Sequence, residues 1–305
     1  MASGQGSIFD RVRRLGRAKP VSADTDIAQI RQRYTQFWAR FGAPPSGAKF
    51  EPAQIGPMKG EWVRMPNSWP GRVVLYFHGG GYVAGSPETH RTLVARLAQA
   101  SEATVFTLDY RLAPEFAFPS AVRDGIDTYR HMLAKVSAQQ IVFAGDGSGG
   151  GLAFAVLHAA RNANLPMPAG CAAMSPWADL SLSGWSIMQN AASDLVQSWD
   201  LLFVCARHYL KKTNPADPYA SPAFASFKDF PPIMVHAGSL EMLKDDASRL
   251  GDRAADANVP VSIEIYDGMQ HVFQGSRNVP EAKASLQRLG QFIRTRTTQQ
   301  ASAAQ

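Results

Sequence analysis

Gly145-Asp146-Gly147-Ser148-Gly149-Gly150 follows the short apolar run at residues 141–144 and precedes the apolar segment at 152–157. A β-branched and aromatic run, then glycines, then a helix-length apolar segment reads as strand, tight turn and buried helix. Two kinds of chemistry use such a turn. A dinucleotide site, G-x-G-x-x-G, lays a pyrophosphate on the helix N-terminus, and a nucleophile elbow, G-x-S-x-G, presents a serine hydroxyl above the sheet. Gly145, Gly147 and Gly150 satisfy the first spacing, whereas the serine position of the second holds Gly147. Another stretch, His78-Gly79-Gly80-Gly81-Tyr82, directly follows the strand-like run 73–77. Consecutive glycines cost backbone entropy and occur where N–H groups must face a ligand closely. Free N–H donors suit an oxyanion; an ordinary tight turn is the other use of the same letters.

The elements able to hold these stretches follow from apolar periodicity. Runs at 60–65, 72–77, 103–109, 140–144, 170–174, 232–236 and 261–266 read as strands, with helix-length segments such as 90–100 and 120–135 between most of them. Such alternation implies parallel strands with helices on both faces. The early pair, 50–55 and 60–65, has only a short connection and reads as a hairpin, so the sheet is mixed. Ile27, Ile30, Tyr34, Phe37, Trp38 and Phe41 recur at helical spacing, predicting an amphipathic helix over 23–40 stopped by Gly42 and Pro44-Pro45. That helix either joins the core or roofs a binding site. From 179 to about 223 no sheet strand is read; Leu201, Leu202, Cys205, Ala206 and Tyr209 suggest a helix, and Pro215, Pro218 and Pro222 punctuate the chain beyond it. An insertion there suits a lid. A last helix over 281–294 places Ala282, Leu286, Leu289, Phe292 and Ile293 on one face.

A chain of 305 residues is near the upper limit for one hydrophobic core, so one large α/β domain with a small accessory lid is expected. Cys171 and Cys205 have no metal-site spacing and cannot build a disulfide framework. No apolar run approaches the roughly 18 residues of a membrane span, and the N-terminus carries charges where a signal peptide needs its apolar core. A cytoplasmic protein is expected. The formal charge of +6 owes much to Arg11, Arg13, Arg14, Arg17 and Lys19. With no aromatic or groove-reading motif beside them, these read as a solvated, poorly ordered arm and not as a nucleic-acid site.

In chain order, the 78–82 glycine loop, Asp109-Tyr110-Arg111-Leu112-Ala113-Pro114-Glu115, the 145–150 turn, Ser175-Pro176-Trp177, Ala237-Gly238-Ser239-Leu240-Glu241 and Gly268-Met269-Gln270-His271-Val272-Phe273 stand in one array. It resembles the hormone-sensitive-lipase-like (bacterial family IV) branch of α/β-hydrolase carboxylesterases, over about residues 50–291. The resemblance implies an α/β-hydrolase fold, a mostly parallel eight-stranded sheet flanked by helices, with a helical cap. The implied division is an arm and cap helix over 1–45, core over 46–178 and 224–297, a cap insertion over 179–223 and a frayed tail over 298–305.

The same resemblance implies a triad in the order Ser, acid, His, catalysing carboxylic-ester hydrolysis, most readily with short acyl chains. His271 would move the proton and Glu241 would orient its imidazole. Asp245 and Asp246, a turn into the next helix, compete for the acid role and otherwise read as solvated surface. Oxyanion donors would be the N–H groups of Gly80, Gly81 and Ser148, with Tyr82 and Trp177 as substrate-binding residues. His78 would anchor its loop, and residues 110–115 with Asp146 would act as scaffold. His90, His131, His158, His208 and His236 match no motif and read as structural or surface residues. No metal or organic cofactor is implied; the partner is a small-molecule ester, or another acyl compound. An apolar cap or edge strand would permit a homodimer.

Against the family pattern Gly-Asp-Ser-x-Gly-Gly, this chain has Gly147 where the nucleophile belongs. Three readings compete. Serine was replaced at 147, leaving an inactive form; or the chain is a natural non-hydrolytic relative that binds a ligand in the same cleft; or Ser148 attacks, although it should start the helix and point away from His271. The competing class is an NAD(P)-binding oxidoreductase using Gly145, Gly147 and Gly150. Such a site wants an acidic residue about 20 positions on, after the next strand, and that strand runs into Ser175-Pro176 instead.

Overall fold

The computed structural model describes Ser22 and residues 25–297. The basic cluster at 11–19 and the tail 298–305 lie outside the described residues. Strand β1 (Lys49–Ile55) turns through Gly56-Pro57 into β2 (Met58–Arg64), and the two pair antiparallel. β2 then pairs antiparallel with β4 (Ala103–Leu108). From there the sheet is parallel: β4, β3 (Trp69–Phe77), β5 (Ile141–Asp146), β6 (Gly170–Met174), β7 (Ile233–Gly238) and β8 (Val261–Tyr266). Among the described residues this makes one sheet of eight strands, the mixed α/β-hydrolase arrangement with the antiparallel hairpin at one edge.

The inner strands β3 to β7 are buried on both faces because helices cover both, whereas β1 and β8 at the two edges stay partly exposed. Val73, Leu75 and Phe77 of β3 share a core with α3 (Ser120–Leu133) and α4 (Ser148–Asn162), while Val74 and Tyr76 of the same strand pack with α2 (Pro87–Ser101) and α8 (Pro280–Thr297). Alternation along the strand therefore separates two apolar layers, and each fully buried Leu, Val or Phe contributes about 1.5–3 kcal/mol. Both faces being covered explains why these strands read as near-continuous apolar runs.

Local signals set the ends. α2 begins at Pro87, earlier than the expected 90, because Ser86 accepts the Thr89 N–H at 3.2 Å and Thr89 Oγ1 accepts the Ser86 N–H at 3.0 Å. Pro87 at the first helical position needs no N–H partner. α1 spans Ile27–Ala39, with Asp26 capping the Ala28 N–H; residues 23 and 24 of the expected helix lie outside the described residues. Between β6 and β7 the chain forms α5 (Ser186–Gln189) and α6 (Trp199–Leu210), with no strand. The connection after β7 leads into α7 (Lys244–Asp256). Cys171 and Cys205 are both free and buried. Among the described residues no helix is long and apolar enough to cross a membrane.

Candidate active site

The loops that carry the motifs leave the C-terminal ends of β3, β5, β7 and β8, where open parallel sheets place their ligands. β5 runs to Asp146, beyond the expected 144, and α4 starts at Ser148, so Gly147 alone turns the chain. Its φ is 52° and ψ −123°. Residues with a side chain adopt this conformation only under strain. The turn is held by the Gly147 N–H donating to Met174 O at 2.9 Å and by Gly147 O accepting the Trp177 N–H at 2.8 Å. A Cβ built on Gly147 would stand 3.3 Å from His271 Nε2.

The neighbouring glycines serve close packing. A Cβ on Gly149 would lie 2.1 Å from Phe77 O, and one on Gly151 would lie 2.0 Å from Trp177 O. The start of α4 is thus pressed against the end of β3 and against the loop after β6. Gly145 is equally confined, its Cβ position lying 2.4 Å from Gly149 O. Of the three glycines that match a dinucleotide fingerprint, Gly145 is thus accounted for by a backbone approach, and a Cβ on Gly150 would stand 3.1 Å from Pro176 Cα.

His271 sits in the loop after β8, and Glu241 in the turn between β7 and α7. Nδ1 of His271 lies 2.7 Å from Glu241 Oε2, and Glu241 Oε1 accepts the Gly238 N–H at 2.7 Å. Because a carboxylate oxygen only accepts, Nδ1 carries the proton and Nε2 faces residue 147 as the free acceptor. Burial pushes the His271 pKa down, but the hydrogen bond and charge of Glu241, then the charges of Asp194 and Asp146, outweigh it, so the net shift is upward. Val272, at a left-handed φ of 48°, donates its N–H to Ser175 Oγ at 3.0 Å and fixes the loop.

The glycine loop is fastened to the elbow through Asp146. Its Oδ1 accepts from Tyr76 Oη at 2.6 Å and from the Gly79 N–H at 3.1 Å, and its Oδ2 lies 3.4 Å from His90 Nε2. His78 donates Nδ1–H to Gly79 O at 2.8 Å and stacks on Tyr110, whose hydroxyl donates to His78 O at 2.7 Å. Burial, helped by the nearby His90, pushes the His78 pKa down to about 3, so the ring is neutral at ordinary pH. Gly80 (φ 125°) and Gly81 (φ 63°) hold conformations that favour glycine, and a Cβ on Gly80 would meet Ala84 O at 2.1 Å. Among the described residues the N–H groups of Gly80, Gly81 and Ser148 make no hydrogen bond to a protein acceptor. Ser148 Oγ accepts the Tyr82 N–H at 3.3 Å and so is engaged with the glycine loop.

Tyr82 and Trp177 are both buried beside this loop. The Tyr82 ring stacks on Tyr209 at 3.9 Å, and Trp177 donates Nε1–H to Asp179 O at 3.0 Å. α1 takes the first of the two roles its sequence left open and joins the core. Ile27 and Ile30 enter the core, while Tyr34 Oη lies 3.1 Å from His90 Nε2, and a Cβ on Gly79 would stand 3.0 Å from it.

One expectation is corrected. Asp246 is not solvated surface: it is 2% exposed, and its Oδ2 accepts the N–H groups of Ala178 and Asp179 at 2.7 and 2.9 Å. Burial, with the charge of Asp179 beside it, pushes its pKa up to about 8. The first turn of α7 faces inward against the loop after β6, and periodicity in a short, Asp-rich helix start does not reveal that. Asp245, beside it, accepts the Ser186 N–H at 2.8 Å. Sequence reasoning also missed Asp194 and Asn190, which bond to the turn around Glu241, and Gln270, which ties the His271 turn to Ser193. Only the neighbouring position of Gln270 in the Gly-Met-Gln-His run offered a signal.

Comparison with known proteins bears on this arrangement. The family model described as alpha/beta hydrolase fold matches residues 74–275. The chain is 37% identical to an acetyl-hydrolase of Streptomyces hygroscopicus over 286 residues, 93% of this chain and 92% of that protein. It is 33% identical to an esterase of Acinetobacter venetianus, covering 80% and 81%. The solved structure of an esterase from the bacterial hormone-sensitive lipase family superposes with a TM-score of 0.91 at 35% identity, covering 97% of this chain and 100% of that one. The chain belongs to the α/β-hydrolase fold family, and its relatives place it with the hormone-sensitive-lipase-like esterases.

Proposed function

We propose that this site is that of a carboxylic-ester hydrolase whose nucleophile position, 147, lacks its hydroxyl. One observation carries the reading: a side chain at 147 would start 3.3 Å from His271 Nε2, and the opposite nitrogen of the same ring is bonded to buried Glu241 at 2.7 Å. A serine hydroxyl there would lose its proton to Nε2 as Oγ attacks the ester carbonyl carbon. The carbonyl π electrons move onto oxygen, and the unpaired N–H groups of Gly80, Gly81 and Ser148 receive that oxyanion. Each such donor contributes about 2.7–4 kcal/mol to the transition state. Collapse expels the alcohol, which takes its proton from the imidazolium, and water then hydrolyses the acyl-enzyme by the same route in reverse.

Glu241 keeps the proton on Nδ1 and balances the imidazolium charge. Tyr82 and Trp177, beside the glycine loop, line the acyl side of the cleft, and the acetyl-hydrolase relative supports short acyl chains as substrates. α1 and the stretch carrying α5 and α6 cover the cleft as its cap. With Gly147 there is nothing to acylate, so turnover falls by about a million-fold against a serine form, leaving what the N–H donors and binding provide. Replacement of a serine is favoured over a natural ligand binder because the His271–Glu241 pair and the unpaired N–H groups all stand ready for transfer. Ser148 does not substitute, its hydroxyl being held by Tyr82.

The test is hydrolysis of p-nitrophenyl acetate by the chain as it stands and by Gly147→Ser. Activity is expected in the variant, and its absence in a folded variant would overturn the reading.

A further inference from the structure

Glu241 is not the sole carboxylate that His271 feels. Asp194 lies between α5 and α6, is 6% exposed, and reaches the acid turn from outside the sheet. Its Oδ2 accepts the N–H of Met242, the residue next to Glu241, at 2.8 Å, and its Oδ1 accepts the N–H groups of Val196 and Gln197, each at 2.8 Å. The same short segment grips the turn on both sides. Asn190 Nδ2 donates to Ser239 O at 3.0 Å and Glu241 O at 2.8 Å. Gln270, beside His271, donates to Ser193 O at 2.9 Å and accepts the Leu195 N–H at 2.8 Å. The turns carrying the acid and the histidine are therefore both bonded to residues 190–195, and within that clamp Asp194 supplies the charge.

We propose that Asp194 is a positioning residue for His271: a second buried carboxylate that pins the Glu241 turn to the 190–197 segment and balances the imidazolium when the proton arrives. The charged groups facing His271 are Glu241 from the acid turn, Asp194 from this segment and Asp146 from β5, all of which favour its protonated form. The coupling runs both ways, as linkage requires. Burial pushes the Asp194 carboxyl up, while His271 and then the backbone N–H groups of Gln197, Met242 and Val196 pull it down, with a net upward shift. A carboxylate held by three N–H donors stays put while its neighbour changes charge, so it stabilises the cation without reorganising.

The catalytic consequence rests on the ester-hydrolase reading; the electrostatic one is measurable without turnover. The imidazole of His271 is titrated by NMR in the chain as it stands and in Asp194→Asn. The pKa is expected to fall in Asp194→Asn and to stay near the parent value in Asp194→Glu. An unchanged pKa in Asp194→Asn overturns the proposal. Should Asp194→Asn fail to fold, the reciprocal measurement decides: in His271→Gln the Asp194 carboxyl, followed by its carbon shift, is expected to titrate at higher pH, and no change overturns the proposal. In the Gly147→Ser background, Asp194→Asn is expected to move the acid limb of kcat/KM to lower pH. An NMR shift without esterase activity in Gly147→Ser would sink the ester reading and leave this one standing; activity without an NMR shift would do the reverse.

Discussion

His271 and Glu241 share a hydrogen bond of 2.7 Å in a region from which solvent is almost wholly excluded. The bond selects the tautomer whose Nε2 is a free acceptor. In the Gly147→Ser background, Glu241→Gln is expected to lower kcat by about 10⁴-fold, the scale on which loss of the orienting charge acts in a serine triad. The amide oxygen of Gln still accepts the Gly238 N–H, so thermal stability should change far less than activity. Steady-state hydrolysis of p-nitrophenyl acetate and a thermal melt check both halves.

The backbone at Gly147 makes a second outcome predictable. At φ 52° and ψ −123°, any residue with a Cβ is strained by about 1–3 kcal/mol. Gly147→Ser and Gly147→Ala should therefore both be less stable than the parent, measured as a lower urea midpoint with an unchanged slope, and serine alone should confer hydrolysis. Equal or higher stability in Gly147→Ala would show that the turn is not strained.

Asp246 gives a pH dependence with a definite sign. Its carboxyl titrates near 3.8 ordinarily and about 8 when folded, so between those values the folded chain holds a proton that the unfolded chain has lost. The contribution is fully present below the lower value and is lost as pH rises through the upper one. Stability should therefore decline from about pH 4 to about pH 8 on this account. In Asp246→Asn, whose amide oxygen can still accept from Ala178 and Asp179, that part of the decline should vanish. Urea midpoints at pH 5 and pH 8 for both forms provide the comparison.

Gly149→Ala tests the close approach of α4 to β3. The new Cβ would lie 2.1 Å from Phe77 O, an overlap relieved only by shifting backbone, and overpacking of this kind costs about 1–3 kcal/mol or more. A drop in melting temperature is expected, together with loss of the activity gained in Gly147→Ser, because Phe77 leads directly into the glycine loop. A melt unchanged within error would contradict the packing account.

Much of this arrangement is legible in one dimension. Strands buried on both faces announce themselves as apolar runs, and the residues carrying the motifs lie at strand ends, where sequence order and spatial order agree. The start of α2 is harder to place, because its apolar pattern begins only at Leu93 while the Ser86 cap and Pro87 act more than a turn earlier. The inward direction of Asp246 depends on two N–H groups 68 and 67 residues away, and the clamp of Asn190, Asp194 and Gln270 joins segments that no local pattern connects. Glycine is ambiguous for a different reason: the letters record that a side chain is excluded, and only the structure shows whether a ligand or the protein's own backbone fills the space.

The strand order also bears on how the protein is made. β5, β6, β7 and β8 stand side by side in the order in which they are synthesised, with Cys171–Met174 of β6 waiting for Ile233–His236 of β7. A nascent chain therefore displays the turn at 147 and the glycine loop well before its histidine exists. Until β7 emerges, the outer rim of β6, apolar and fully buried in the finished protein, is an open template for strand pairing. Chains that stop short of β7 should accumulate as insoluble material, because β7 is the strand that closes that rim.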